Sequence, residues 1–149
     1  AQGMALGARM DGRDFRTYVL LGDGEIQEGI VWEAAMSAAK FGLDNLTAIL
    51  DYNKVQLDGT TDEIMPLGDV RAKWESFGWH VIEIDGHKVE EIADALDRAK
   101  AVKGRPTIIV ARTVKGKGVS FMEGKNTWHG KPISREEYEA AKAELGGGK

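Results

Sequence analysis

Four short apolar runs recur along the chain: RTYVLL (16–21), LTAILD (46–51), WHVIEID (79–85) and PTIIVAR (106–112). Between them lie segments with helical spacing, and that alternation constrains the fold more than any other feature. Residues 26–41 set Ile26, Ile30, Val31, Ala34, Ala35, Ala38 and Phe41 on one helical period and stop at Gly42. A second helix starts near Leu67 and closes on Trp74, Phe77 and Gly78. A third, 88–102, carries Val89, Ile92, Ala95, Leu96 and Ala99. The run at 106–112 is apolar without alternation, as a strand covered on both faces would be. Strand–helix alternation predicts an α/β fold, a mostly parallel sheet with helices on both faces. Ser134 with Glu137 forms a capping-box signal for a last helix, and the tail 144–149 reads as frayed.

The 149 residues supply one domain's worth of core, with no repeat or linker to divide it. The net charge is −4, and Lys and Arg are scattered apart from a modest cluster at 112–117, which argues against a nucleic-acid partner. Cysteine is absent, so there is no disulfide framework, thiolate metal site or thiol nucleophile. No apolar run nears the roughly 20 residues of a membrane span, and no signal pattern opens the chain. The expectation is a cytoplasmic protein without a membrane partner.

In a sheet of this kind ligands gather at the carboxyl ends of the strands. Gly22–Gly24, Asp51–Val55, Asp85–Gly86 and Arg112–Gly118 all fall there. The Gly-Asp-Gly turn at 22–24 admits three phosphate readings. A dinucleotide fingerprint would use Gly22 and Gly24, with Asp51 as the acid, but Gln27 stands where the third glycine belongs. A P-loop would use Gly24 and Gly29, but Ile30 and Val31 replace its lysine and hydroxyl. The third reading is a metal-bridged diphosphate. Asp23 offers a carboxylate beside a helix N-terminus, and Asn53 offers an amide oxygen at the next strand's end. Mg²⁺ takes few oxygens from protein and the rest from phosphates and water. A turn aspartate and a turn asparagine with no ligand remain the plain structural alternative.

The stretch LGDGEIQEGIVWEAAMSAAKFGLDNLTAILDYNKVQLDG resembles the transketolases, whose thiamine-diphosphate motif is GDG followed about thirty residues on by Asn. The resemblance runs through DGH, KGKG and TWHGKPIS and covers essentially the whole chain. It implies the thiamine-diphosphate-binding fold and a cofactor pair of thiamine diphosphate and Mg²⁺. By that resemblance Asp23, Asn53 and the Val55 carbonyl would ligate Mg²⁺. The Gly24 N–H and the Asn53 side chain would contact the diphosphate, and His129 would lie by the diphosphate and substrate. Glu28 and Glu33 would join the acidic network between paired active sites. Five residues apart, they are about 140° around a helix and cannot share a face.

Other residues have plainer readings. Trp32, Trp74, Phe77 and Trp79 suit core or interface packing, and His80 suits a partly exposed strand start. His87, Lys115 and Lys117 sit on the rim without an assigned role. The resemblance also implies two absences: a preceding segment with further histidines, and a pyrimidine-binding domain whose glutamate acts on the aminopyrimidine. The expectation is a single diphosphate-binding domain over 1–149, needing a complementary pyrimidine-binding subunit in a homo- or hetero-oligomer. Completed, it would transfer a two-carbon ketol unit from a ketose phosphate to an aldose phosphate. The alternatives are part of a deoxyxylulose-phosphate synthase-like enzyme, a stand-alone Mg–diphosphate-binding module without turnover, and a structural piece of a larger assembly.

Overall fold

A computed structural model describes residues 1–146. Its centre is a four-stranded, all-parallel sheet of β1 (Thr17–Gly22), β2 (Leu46–Tyr52), β5 (His80–Asp85) and β6 (Thr107–Arg112), in the order β1-β2-β6-β5. A hairpin of β3 (Val55–Gln56) and β4 (Gly59–Thr60) lies beyond the end of β2. The helices are α1 (Gln2–Met10), α2 (Gly29–Lys40), α3 (Thr61–Ile64), α4 (Val70–Ser76), α5 (Val89–Ala101) and α6 (Arg135–Glu144). Among the described residues no helix is long and apolar enough to cross a membrane.

The strand order explains which helix covers which face. The steps β1→β2 and β2→β5 advance across the sheet in one direction, and β5→β6 returns. Right-handed crossovers therefore put α2 and α4 on one face and α5 on the other. The packing agrees. Leu21, Leu46, Ala48, Leu50, Ile108 and Val110 join Ala35 and Ala38 of α2 and Trp74 of α4 in one core cluster, with Ala5 of α1. The alternate residues Ile82, Ile84, Ile109 and Ala111 meet Ala95 and Ala99 of α5 in a second. Period-two alternation thus separates the cores.

Several boundaries differ from expectation for local reasons. Residues 25–27 form a separate 3₁₀ turn, and α2 begins only at Gly29. The α4 helix starts at Val70, because the Asp69 carboxylate caps it by accepting from the Ala72 N–H at 2.9 Å; Leu67 is buried but lies outside the helix. The expected capping box is present, Ser134 and Glu137 satisfying each other's backbone N–H. Glu144 is held rather than frayed, accepting from the Ser120 hydroxyl at 2.8 Å; the rest of that expected tail reaches 147–149, outside the described residues.

Trp32, Trp74, Trp79 and Phe77 pack as a chain of rings, with centroids 4.9–5.1 Å apart. Trp79 donates its indole N–H to the Ala35 carbonyl at 3.0 Å, and Trp32 donates to Ile26 at 2.8 Å. The second bond ties the aromatic core to the turn that follows Gly-Asp-Gly.

Candidate functional site

Register brings the strand ends together. Gly22 pairs with Asp51, Asp51 with Ala111, and Tyr52 with Arg112. Asp23, the first residue beyond β1, is 2% exposed. One carboxylate oxygen accepts from the Gly24 N–H at 2.8 Å, and the other accepts from the Lys54 N–H. Lys54 has φ 63°, the described residues' one positive φ outside glycine, and that conformation accompanies its N–H turned toward Asp23. Gly24 lies close against the hairpin: a Cβ there would stand 3.1 Å from that of Gln56, so a larger residue would press on it.

Burial pushes the Asp23 carboxyl above its ordinary pKa. The Lys54 and Gly24 N–H groups pull it back, and the nearby Asp51 charge adds to the upward push. Among the described residues no cationic side chain pairs with Asp23; the Lys54 ammonium lies 4.0 Å from Asp62 instead. A buried carboxylate with two N–H donors and no counter-ion fits a divalent cation. Among the described residues no cluster of three or more His, Asp or Glu is gathered for a metal. An ion beside Asp23 would therefore depend on neutral oxygens and on its own ligand.

Asn53 carries a neutral oxygen on the same rim. Its Oδ1 accepts from the Val55 N–H at 2.9 Å, and its Nδ2 donates to Asp51 at 3.2 Å. A polar cleft of about 520 Å³ brings together Asp23, Gly24, Glu28, Asn53, Val55 and His129, with Lys115 in the same wall. His129 reaches it from the segment after β6. The Trp128 ring packs 5.3 Å from Phe121 and lies under the Lys131 ammonium at 3.8 Å, while Asn126 donates to the Leu57 carbonyl of the hairpin. His129 Nδ1 and Lys115 Nζ are 3.2 Å apart.

Two sequence expectations need correcting here. Asp23 does not adjoin the start of α2, since the 3₁₀ turn intervenes. Glu28 is the extended N-cap residue of α2 (φ −73°, ψ 130°), so its angular relation to Glu33 is not that of two helical residues. Glu28 lines the cleft, whereas Glu33 lies outside it on the outer surface of α2 with Met36 and Phe41.

The remaining histidines and lysines separate cleanly. His87 accepts from the Val114 N–H through Nε2 at 2.8 Å and lines a neighbouring apolar groove. Lys117 pairs with Glu123 at 3.7 Å, away from the cleft. His80 starts β5 and faces Arg105 at 3.4 Å; burial lowers its pKa, with Arg105 adding to the effect. Sequence reading missed Gln27 and Gln56, whose side chains bond at 2.6 Å to join the turn to the hairpin. The Gln27 found in place of a fingerprint glycine was the available signal.

Residues 8–148 match the family described as transketolase, thiamine diphosphate binding domain. The chain is 50% identical over 145 residues to a 6-deoxy-6-sulfo-D-fructose transketolase subunit of Clostridium sp. (strain MSTE9), covering 97% of this chain and 53% of that one. It is 45% identical over 143 residues to one of the subunits of the apulose-4-phosphate transketolase of Phocaeicola vulgatus, covering 96% and 51%. The chain thus spans about half the length of these curated relatives. Transketolase from Campylobacter jejuni superposes with a TM-score of 0.91 at 34% identity, over 97% of this chain and 24% of that one. The Pichia stipitis enzyme in complex with sedoheptulose 7-phosphate gives 0.90 at 34% identity, over 97% and 23%. With the match running from α1 through α6, the chain belongs to the transketolase family, in its thiamine diphosphate binding domain.

Proposed function

We propose that this chain grips the diphosphate of thiamine diphosphate through Mg²⁺ and forms the cofactor-holding part of a transketolase. The observation that carries the reading is the buried, uncompensated Asp23 carboxylate beside Asn53 at the sheet's carboxyl rim. Asp23 and Asn53 side-chain oxygens and the Val55 carbonyl would hold the ion, leaving its other positions to phosphate and water. The Gly24 N–H and His129 would meet the diphosphate, and the Lys115 ammonium beside His129 places positive charge in the same wall. Glu28 and Glu33 would serve a contact between subunits; exposed Met36 and Phe41 beside Glu33 suit such a contact.

The bound cofactor supplies the chemistry that breaks and remakes a carbon–carbon bond. The reaction read from the family is transfer of a two-carbon ketol unit from a ketose phosphate to an aldose phosphate. A complementary pyrimidine-binding subunit or domain would complete the site, in a homo- or hetero-oligomer. Relatives named as transketolase subunits support that division of labour.

Calorimetric titration of thiamine diphosphate with Mg²⁺ into the chain tests the reading. A saturating heat that vanishes in Asp23→Ala and in metal-free buffer is expected. Heat that persists in Asp23→Ala would overturn the assignment of the metal to this turn.

A further inference from the structure

We propose that Asp51 is a positioning residue: it fixes which end of the Asn53 amide faces the cation, and Thr113 anchors it from the neighbouring strand. The proposal rests on the cofactor reading above, and it gives a role to an acid that neither the metal site nor the diphosphate contacts use.

The two ends of an asparagine amide have nearly the same shape and opposite polarity. A cation needs the oxygen, so a site that relies on Asn must prevent a half-turn of the amide. Asp51 has only acceptors when ionised, and its Oδ2 takes the Asn53 Nδ2 hydrogen at 3.2 Å. On the other side the Val55 N–H has only a donor to offer, and it meets Asn53 Oδ1 at 2.9 Å. Reversing the amide would set oxygen against carboxylate and NH₂ against N–H, two repulsive contacts for two favourable ones. One orientation survives, with the oxygen on the side of the Val55 backbone.

Asp51 must itself be held for this to work. Its other oxygen accepts from the Thr113 hydroxyl, 62 residues away in sequence. Thr113 follows β6, and its N–H donates to the Tyr52 carbonyl at 3.3 Å. The orientation of a ligand at the end of β2 is thus set through the end of β6. Asp51 and Asn53 both line the polar cleft and the apolar groove beside it, on the wall between the two. Outer residues of this kind typically carry about 10–100-fold in metal affinity.

The test uses ¹⁵N-labelled chain and three variants: Asp51→Ala, Thr113→Val and Thr113→Ser. In the parent chain the two Asn53 side-chain amide protons should resonate well apart, one being bonded to a carboxylate. That separation should collapse in Asp51→Ala, which leaves no acceptor at 51, shrink in Thr113→Val and be retained in Thr113→Ser. In calorimetry with Mg²⁺ and thiamine diphosphate, Asp51→Ala should weaken binding about 10–100-fold and Thr113→Val about tenfold, with Thr113→Ser near the parent. Asn53 resonances unmoved by Asp51→Ala would overturn the proposal. So would parent-level binding in Asp51→Ala, or equal losses in Thr113→Val and Thr113→Ser. Responsive Asn53 resonances in a parent chain that binds no Mg–thiamine diphosphate would support the amide orientation and sink the cofactor reading, so the two fail separately.

Discussion

On one face of the sheet Trp32, Trp74, Trp79 and Phe77 stack beneath α2 and α4, and Trp74 is only 1% exposed. On the other face α5 covers β5 and β6, while Leu20 of β1 stands 68% exposed and Tyr18 is also open. The same four strands supply both faces with the same alternation, so composition does not explain the difference. Topology does: two crossovers advance and one returns, which leaves a single crossover helix for the second face. Stability should therefore concentrate on the aromatic face. The candidate site lies at the rim where both faces end.

The sharpest way to break this comparison is Trp74→Ala. Removing this inner ring, which touches both Trp32 and Trp79, should cost about 3–5 kcal/mol, by lost transfer energy and the cavity left behind. Urea unfolding followed by far-ultraviolet circular dichroism would measure it. A cost below about 1 kcal/mol would mean that the aromatic face is not where the stability lies.

An effect of the next size is expected at the rim, where pH tests Asp23 independently of packing. Its carboxyl titrates above the ordinary value because of burial. In metal-free chain the folded state holds that proton more tightly than the unfolded state. Asp23 then contributes stability at low pH that is lost as pH rises through the raised pKa. On the proposed assignment of Mg²⁺ to Asp23 the sign reverses when Mg²⁺ and thiamine diphosphate are present, since the proton would compete with the ion. Ligand at 100 times its dissociation constant adds about 2.7 kcal/mol, and that gain should fade as pH drops through the same range. The difference in thermal midpoint between the parent and Asp23→Asn, which cancels the other carboxylates, should slope in opposite directions across acidic pH with ligand and with chelator. Parallel slopes would remove Asp23 from the metal site.

The sequence was legible wherever one element carries its own signal. The four strands are long enough for apolar runs to show, and they settle within one residue of expectation at either end. Asp23 and Asn53 were visible because glycine turns and strand ends mark the rim. The α1 helix was not, since Gly3 and Gly7 each cost about 1 kcal/mol against Ala. It is held from outside: Ala5 and Ala8 are buried, and Arg9 donates to the Phe41 and Gly42 carbonyls at 2.7 and 2.9 Å. The β3–β4 hairpin has two residues per strand, too few for alternation. Asp51 stood in the sequence as a candidate ribose acid. Its bond to Thr113 depends on the β2–β6 register, which local pattern does not encode.

The finest test uses two consecutive leucines. Leu20 and Leu21 share β1, and alternation sends them to opposite faces. Leu21, 9% exposed, belongs to the aromatic-face core, so Leu21→Ala should cost about 2–5 kcal/mol. Leu20→Ser removes an apolar side chain that is already in water, so its unfolding free energy should stay within about 0.5 kcal/mol of the parent. If Leu20→Ser destabilised the chain as much as Leu21→Ala, something would have to cover Leu20 in solution, and the second face would be closed rather than half open. If both changes were small, β1 itself would contribute little. The aromatic core would then rest on β2, β5 and β6 alone.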